Sequence, residues 1–272
     1  MVAFQISGFS MQKAGNKPEE YEDAWASCVH PTRIAVSDGA TDSFESGRWS
    51  RTLVEHVIVD PPRSAEDMLG WVAAPIKTWK AGINWNSLPW YGTEKANRGA
   101  FATLLTVEFE DSLEAQTDIG AVALRYLATA VGDACLFHVQ DDQLIVRFPL
   151  SLSTDFGTMP PLLSTRDDYN GKSLESLKTL THDIKPGDVM LLATDALAAW
   201  FLRDFEDGGK PWLRLHAVSH SGFEELVHDL RQEKLIHNDD VTLVVISVGF
   251  ADSHPTRDQY AEDTTASSQN GY

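Results

Sequence analysis

Apolar positions along the chain alternate, or run together in short stretches, in the way that is typical of β-strands. Such stretches occupy residues 2–9, 24–29 and 33–37, then 99–110, 124–132, 135–140 and 143–150, and finally 179–183, 189–194 and 241–249. The Asp141-Asp142 pair separates two of them and predicts a hairpin turn. We therefore expect a sheet-rich fold with strands from both ends of the chain.

Between these strands the apolar pattern changes to helical spacing. Apolar residues of 43–58 recur about every four residues, and Ser43 is a suitable N-cap. Further helices are predicted from Ser64 onward and over 196–205 and 221–235. Because helices and strands do not alternate regularly, the expected fold class is α+β.

The pattern also bears on domain organisation. No linker, internal repeat or heptad register divides residues 1–250, so they are predicted to form one domain. Within it, residues 151–177 are rich in Ser, Thr, Asp, Gly and Pro and predict a long surface excursion. Residues 251–272 are polar and have no core pattern, which predicts a disordered tail.

Net charge narrows the class of partner. The chain has 22 Lys and Arg against 40 Asp and Glu, a net charge of −18. Such a surface repels phosphate backbones and anionic lipids, so neither nucleic acid nor a membrane is the expected partner. There is no span-length apolar run and no signal-peptide pattern at the N-terminus. We therefore expect a cytoplasmic protein, with Cys28 and Cys135 reduced inside strands.

Acidic residues stand at the ends of several predicted strands. They are Asp38 after "RIAVS", Asp133 after "YLATAVG", Asp195 after "DVMLLAT", Asp239 and Asp240 before "VTLVVISV", and Glu22 and Asp23 before "AWASCV". Taken singly, each is explained as a turn residue. If they gather at one sheet edge, however, the carboxylates repel one another unless cations lie between them.

Carboxylate oxygens are the ligands that Mg²⁺ and Mn²⁺ prefer. Two such ions that share a carboxylate and a bridging water generate a hydroxide nucleophile and neutralise a phosphoryl group. The sequence has no Cys-x5-Arg loop, Gly-x-Ser-x-Gly elbow or Walker-type loop that would indicate another nucleophile or phosphate site. The histidines, which include His30, His56, His138 and His182, lack ligand spacing and are expected to be surface or hydrogen-bonded core residues.

Six short motifs over residues 20–248 stand in the order found in a known family. They are "YEDAW", "VSDGATDS", "GAFATLL", "AVGDACLFHVQDDQL", "IKPGDVMLLATDALAAWF" and "DDVTLVVISV". In these motifs the chain resembles the metal-dependent protein phosphatases of the PPM, or type 2C, family, as a bacterial-type member with diverged motifs.

The resemblance implies an antiparallel β-sandwich flanked by helices on both sides, with the metal site at one end. It implies two Mn²⁺ or Mg²⁺ ions, and in some members a third, weaker one. The implied ligands are Asp38 as the bridge between two metals, the Gly39 carbonyl, Asp195 and Asp239 on the first metal, Glu22 or Asp23 on the second, and Asp133 on the third. Asp38, Asp195 and Asp239 are the implied catalytic residues, and the implied reaction is hydrolysis of phosphoserine or phosphothreonine by a metal-bound water.

The chain departs from the family pattern in places. Residues 17–20, Lys-Pro-Glu-Glu, stand where many members have an arginine that grips the substrate phosphate. Residues 40–42, Ala-Thr-Asp, replace the usual neighbours of the bridging aspartate, and Ala196 replaces the glycine after Asp195. Every direct carboxylate ligand remains, which favours an active enzyme.

Other interpretations stay open. One alternative is a non-catalytic pseudophosphatase that binds a phosphoprotein or a regulatory partner, and another is a hydrolase of small phosphoesters. For the enzyme, the expected partners are a phosphorylated protein substrate and a cognate Ser/Thr kinase system. Trp71, Trp79, Trp85 and Trp90 either form an aromatic layer on the sheet or provide a partner-docking surface.

Overall fold

Twelve strands and eight α-helices make up the computed structural model, which describes residues 2–62, 64–110 and 124–250. The strands are β1 (Val2–Met11), β2 (Ala24–Val29), β3 (Thr32–Ser37), β4 (Phe101–Ala102), β5 (Leu104–Phe109), β6 (Leu124–Val131), β7 (Cys135–Gln140), β8 (Gln143–Phe148), β9 (Leu163–Ser164), β10 (Lys178–Ile184), β11 (Val189–Ala193) and β12 (Val241–Phe250). The helices are α1 (Ser46–Val59), α2 (Ala65–Trp71), α3 (Ala73–Ala81), α4 (Trp90–Arg98), α5 (Asn170–Leu174), α6 (Asp195–Glu206), α7 (Trp212–Leu215) and α8 (His220–Gln232). The predicted tail at 251–272 lies outside the described residues.

The strands form two five-stranded antiparallel sheets, in the orders β1-β12-β11-β7-β8 and β10-β6-β5-β3-β2. Because side chains alternate along a strand, each sheet buries one face against the other sheet and one against helices. In β3, Ile34 and Val36 lie between the sheets, whereas Ala35 faces outward. In β12, Val244 lies between the sheets and Val245 faces outward. The period-2 pattern thus fixes a sandwich.

Helices cover both outer faces, which confirms the predicted architecture. On the first sheet, Phe201 of α6 stacks on Phe137 of β7 with ring centroids 3.8 Å apart. On the second, Trp49 of α1 and Trp79 of α3 are fully buried. Burial of such a side chain contributes about 1.5–3 kcal/mol. None of the helices in the described ranges is long and apolar enough to cross a membrane.

The predicted excursion at 151–177 is partly built into the fold. Its short strand β9 pairs with β4, and its helix α5 follows. Ser164 and Asn170 are buried, and the Ser164 backbone N–H donates to Asn170 Oδ1 at 2.7 Å. The local composition predicted a surface loop because the partner strand β4 lies some 60 positions earlier in the chain.

Of the two serines considered as helix starts, one caps its helix and the other does not. Ser64 caps α2 as predicted, since its side chain accepts a hydrogen bond from the Asp67 N–H. Ser43 does not cap α1, which begins at Ser46 after Glu45 in a left-handed conformation. The Ser43 hydroxyl instead accepts from the Phe101 N–H and donates to the Ala40 carbonyl, so it joins the segment before α1 to β4.

A group of polar side chains is buried between the sheets, next to Asp188, the residue that precedes β11. His138 is fully buried, with Nε2 3.0 Å from Asp188 Oδ2 and Nδ1 3.2 Å from the Tyr126 hydroxyl. The same Asp188 oxygen accepts from Gln140 Nε2 at 3.0 Å and from the Lys185 N–H at 2.9 Å. We call these five residues the buried histidine network. It confirms the expectation that His138 is a hydrogen-bonded core residue.

The cysteines and tryptophans have mixed environments. Cys135 is buried and Cys28 half-buried, and both are free. Trp79 is 1% exposed and belongs to the aromatic layer, whereas Trp85 and Trp90 are 40% and 79% exposed. The packing interpretation therefore holds for Trp79, while the two later tryptophans lie at the surface.

Candidate active site

Strand register brings the predicted acidic residues to one edge of the sandwich. Ala24 at the start of β2 pairs with Ser37 at the end of β3. Asp23 immediately precedes β2 and Asp38 immediately follows β3, so the two residues lie side by side. Two antiparallel neighbours thus deliver a carboxylate each to the same edge from sequence positions 15 residues apart.

Two further strand pairs, β11 with β12 and β5 with β6, bring more acidic residues to this edge. Ala193 at the end of β11 pairs with Leu243 of β12, and the Thr242 N–H donates to Thr194 Oγ1 at 2.9 Å. This places Asp195 beside the chain segment that leads into β12. Leu104 of β5 pairs with Val131 of β6, so Asp133 follows at the same edge. We call Glu22, Asp23, Asp38, Asp133, Asp195 and Asp239 the acidic cluster.

Asp23 is the most deeply buried member, at 2% exposure. Its Oδ2 accepts from Thr242 Oγ1 at 2.9 Å and from the Tyr21 hydroxyl at 3.5 Å. Its Oδ1 is buried and has no hydrogen-bond partner among the described residues. Burial, with repulsion by Asp240 and Asp195, raises the pKa of Asp23 to about 8 against the Thr242 hydrogen bond. A buried carboxylate oxygen without a donor is a position at which a cation or a water is expected.

Hydrogen bonds to Thr103 fix the backbone of Asp38, whereas the charges of nearby carboxylates repel its side chain. Its N–H donates to Thr103 Oγ1, and its carbonyl accepts from the Thr103 N–H, both at 2.9 Å. Burial raises the pKa of Asp38 well above its usual range, and the charges of Asp23, Asp195, Asp239 and Asp133 raise it further. All four neighbours that raise it are members of the acidic cluster.

Gly39, the predicted carbonyl ligand, sits where only a glycine fits. A Cβ there would lie 2.7 Å from the Glu22 carbonyl oxygen and 2.8 Å from Ser50 Oγ. This close approach brings the β3 end, the Glu22 segment and α1 together. The absence of a side chain at 39 is therefore a packing requirement of the site itself.

Asp195 and Asp133 complete the repelling group. Asp195 is the first residue of α6, and its Oδ1 accepts from the Ala196 N–H at 2.5 Å. Burial raises its pKa, and the charge of Asp239 adds to this. Burial, with the charge of Asp195, also raises the pKa of Asp133 to about 7. The acidic cluster is therefore electrostatically strained in the protein by itself.

Glu22 and Asp239 are more accessible, with side chains 19% and 38% exposed. Glu22 Oε1 accepts from Ser46 Oγ of α1 at 2.5 Å. The ammonium of Lys13 lies 2.8 Å from Asp239 Oδ1 and 3.6 Å from Glu22 Oε2. Although burial opposes the charged form, the hydrogen bond and charges of the neighbouring carboxylates raise the pKa of Lys13.

Asp240 has a different role from its neighbour Asp239. It is 3% exposed, its Oδ1 accepts from the Lys13 N–H at 2.8 Å, and its Oδ2 accepts from the Glu22 N–H at 2.7 Å. Both oxygens are therefore occupied by backbone donors. Asp240 ties the β1–β2 loop to the start of β12 and so positions Glu22 and Lys13.

The residues present fit a hard divalent ion in their chemistry. The donors are all oxygens, several carboxylates repel one another, and Asp23 Oδ1 lacks a partner. In the described part of the chain, however, no three acidic, histidine or cysteine side chains already surround a common point as metal ligands do. The acidic cluster thus has the oxygen ligands that a divalent ion prefers, but they are not yet arranged around one point. The Lys13 ammonium lies among them.

Beside the acidic cluster is an open cleft of about 360 Å³. Its lining includes the acidic residues Glu19, Glu20 and Glu22 and also the basic residues Arg48, Arg51 and Lys95. Arg48 is paired with Glu45 at 3.3 Å. Among the arginines that the structure describes, Arg51 alone has no hydrogen bond, ion pair or ring contact. It is a free guanidinium next to the cluster.

The roles of three residues in this site could not be predicted from the sequence pattern. Lys13 looks like an ordinary loop residue, and Asp240 looks like a duplicate of Asp239. Arg51 lies on the polar side of an amphipathic helix, which is the normal place for an arginine. Only the pairing of segments more than 200 residues apart gives the first two their roles.

Comparison with known proteins places the fold. Neither the known sequence families nor the curated proteins give a match to this chain. Solved structures do. The serine/threonine phosphatase PstP/Ppp of Mycobacterium tuberculosis is 15% identical with a TM-score of 0.56, over 92% of this chain and 100% of that one. A bacterial serine phosphatase is 14% identical with a TM-score of 0.55, again over 92% and 100%. The photosystem II phosphatase PBCP is 14% identical with a TM-score of 0.54, over 90% and 98%.

These likenesses extend over nearly the whole of each chain. The molecule therefore has the helix-flanked antiparallel sandwich fold of the PPM, or type 2C, protein phosphatases, as the sequence motifs predicted. The identity of about 15% makes this a statement about fold. The function rests on the site.

Proposed function

We propose that this chain is a metal-dependent protein phosphatase that hydrolyses phosphoserine or phosphothreonine. The observation that carries the proposal is the acidic cluster at one edge of a phosphatase-like sandwich. Asp23, Asp38, Asp133 and Asp195 are held close enough to raise one another's pKa, and the protein supplies few donors to relieve them. Side chains arranged at such an energetic cost are expected to serve a ligand.

The proposed cofactors are two Mn²⁺ or Mg²⁺ ions, with Asp133 available for a third. A similar solved structure supports this: the catalytic domain of PstP, with 15% identity and a TM-score of 0.55, is described as a complex with two manganese ions. When bound, divalent ions lower the pKa of water and neutralise phosphoryl charge.

Each residue of the acidic cluster has a proposed place relative to the two ions. Asp38, Asp195 and Asp239 would hold the first ion, and Asp38 with the Gly39 carbonyl would hold the second. Glu22 lines the cleft, whereas Asp23 is buried and held by Thr242. We therefore assign Glu22 to the second ion and Asp23 to the support of its neighbours.

The cleft beside Glu22 is the proposed seat of the phosphorylated segment. A phosphorylated protein carries a doubly charged phosphate, and this chain has a net charge of −18. Local positive charge is therefore needed for the two to meet, and Arg51 and Lys95 provide it at the cleft wall. The kinase that phosphorylates the same protein would be the functional counterpart of this enzyme.

The direct test is phosphate release from a phosphothreonine peptide and from p-nitrophenyl phosphate while Mn²⁺ or Mg²⁺ is titrated. The variant Asp38→Asn removes the carboxylate charge that both ions would share, and Asp183→Asn removes an exposed charge on β10 as the matched control. We expect saturable, metal-dependent release in the wild type and the control but not in Asp38→Asn.

Two results would contradict the proposal. Absence of metal-dependent release from folded wild-type protein would indicate a non-catalytic binding protein. A much faster reaction with the small ester than with every phosphopeptide would indicate a small-phosphoester hydrolase.

A further inference from the structure

One cation is already present in the acidic cluster, and it belongs to the chain. The Lys13 ammonium contacts Asp239 Oδ1 at 2.8 Å, Thr41 Oγ1 at 2.5 Å and, more distantly, Glu22 Oε2 at 3.6 Å. Its side chain is 13% exposed. By contrast, the lysines that form the other ion pairs in the described residues, Lys185 and Lys210, have side chains 44% exposed.

The backbone holds Lys13 in this place. The Lys13 N–H donates to Asp240 Oδ1 at 2.8 Å, and the Ala14 N–H donates to Asn238 Oδ1 at 2.8 Å. Asn238 Nδ2 in turn donates to the Ala14 carbonyl at 3.2 Å. The loop after β1 is therefore fixed to the segment before β12, and the Lys13 side chain has little freedom to point elsewhere.

We propose that Lys13 is a built-in cation of the site, which neutralises Glu22 and Asp239 in the metal-free protein and competes with divalent ions for them. The inference rests on the function proposed above, in which those two carboxylates serve different ions. A divalent ion at either one brings two positive charges close to the ammonium. Metal binding must therefore displace Lys13 or take place against its repulsion.

This role predicts two effects of opposite sign. Without metal, loss of the ammonium leaves the acidic cluster with one more uncompensated negative charge, so the folded protein becomes less stable. With metal, the same loss removes a competitor, so affinity for the ion rises. A lysine that only stabilised the loop would lower stability and leave metal affinity unchanged or weaker.

The test uses Mn²⁺ alone as the probe and needs no turnover. Isothermal titration calorimetry measures Mn²⁺ affinity, and thermal unfolding in chelator measures the stability of the metal-free protein. The variants are Lys13→Met and, as a second neutral form, Lys13→Gln. Lys17→Met is the matched control, since Lys17 is exposed, lies in the same loop and makes no ion pair within the described residues.

We expect both Lys13 variants to bind Mn²⁺ about tenfold more tightly than the wild type. We also expect them to unfold at a lower temperature in chelator, while Lys17→Met changes neither quantity. Equal or weaker Mn²⁺ affinity in the folded Lys13 variants would overturn the inference.

The reference variant Asp38→Ala separates this failure from failure of the proposed function. If wild-type binding of Mn²⁺ is lost in Asp38→Ala but unchanged in the Lys13 variants, only the role of Lys13 is wrong. If neither the wild type nor the Lys13 variants bind Mn²⁺, the metal-dependent function is contradicted as well.

Discussion

The two ends of strand β11 carry aspartates in opposite circumstances. At one end, Asp188 Oδ2 accepts three hydrogen bonds within the buried histidine network. At the other, Asp195 has one short bond to its own helix and lies among like charges that raise its pKa. The two aspartates flank the same strand. Asp188 has three donors on Oδ2 and no partner on Oδ1 within the described residues, whereas Asp195 has a single donor and like charges around it.

This difference is the one expected between an acid that supports the fold and an acid that is proposed to bind a cation. A buried carboxylate with its donors in place stabilises the fold, because removing it leaves those donors unsatisfied. A carboxylate that is buried among other carboxylates destabilises the fold until a cation arrives. The same distinction applies to Asp240, which has two backbone donors, and to Asp38, whose pKa is raised by the charges of four nearby aspartates.

The largest expected effect is on turnover in Asp195→Asn. We expect the rate of metal-dependent phosphate release to fall by at least about a thousandfold, roughly 4 kcal/mol. The metal-free variant should nevertheless unfold at a higher temperature than the wild type, because one repelling charge is gone. Calorimetry in chelator and steady-state kinetics check the two parts. A variant that is both inactive and less stable would indicate that Asp195 is structural.

The matched change at the other end of the strand is Asp188→Ala. It strips three donors of their acceptor, so we expect the free energy of unfolding to fall by at least about 3 kcal/mol. Activity per folded molecule should stay close to that of the wild type. Urea unfolding and active-site titration provide the measurement. Loss of activity without loss of stability would remove the contrast between the two ends.

The pH dependence of stability should also differ between the ends. In the acidic cluster, the pKa values of Asp23 and Asp133 are raised to about 8 and about 7. Their stabilising contribution is therefore complete below about pH 4, where the unfolded groups titrate, and is lost as the pH rises through about 7 to 8. Burial lowers the pKa of His138, so its contribution is present above about pH 6.5 and is lost as the pH falls below that value.

Unfolding in chelator between pH 5 and pH 9, with single variants, separates these opposite slopes. Asp133→Asn should flatten the decline of stability toward high pH, and saturating Mn²⁺ should do the same. His138→Gln should remove part of the loss at low pH. A decline at high pH that persists unchanged in Asp133→Asn would show that Asp133 does not titrate as its burial predicts.

The smallest predicted effect concerns the cleft. Arg51→Ala removes the free guanidinium, so we expect KM for a phosphopeptide to rise about fivefold, roughly 1 kcal/mol, with little change in kcat. Arg125→Ala is the control, because Arg125 is exposed at the start of β6, the end away from Asp133. An equal change in both variants would exclude a specific role for Arg51.

Much of the fold could be predicted because it depends on local patterns. Alternation in β3 and β12 assigns each residue to one face, and aspartates after such strands must lie near a sheet edge. The strands β2 and β7 were predicted with the bounds that the structure gives them. The helix α4 was missed, because "WYGTEKANR" contains a glycine and shows no apolar stripe.

The site could be predicted only as far as it consists of strand ends. Asp38 and Asp195 have a strand before them as a local signal, and the electrostatic strain around them agrees with the predicted clustering. Lys13 has no such signal, because its contact with Asp239 depends on how β1 pairs with β12 at the far end of the chain. Which of Asp239 and Asp240 is free to bind a ligand likewise depends on backbone donors from distant segments.

Anomalous diffraction near the manganese absorption edge, from crystals grown with Mn²⁺, tests directly whether the acidic cluster binds the ion. We expect anomalous peaks within reach of the carboxylates of Asp38, Asp195 and Asp239, at the edge where the aspartates raise one another's pKa. We expect none at Asp188, at the other end of the same strand. Crystals with Mn²⁺ bound elsewhere, and the acidic cluster unchanged around Lys13, would contradict this expectation.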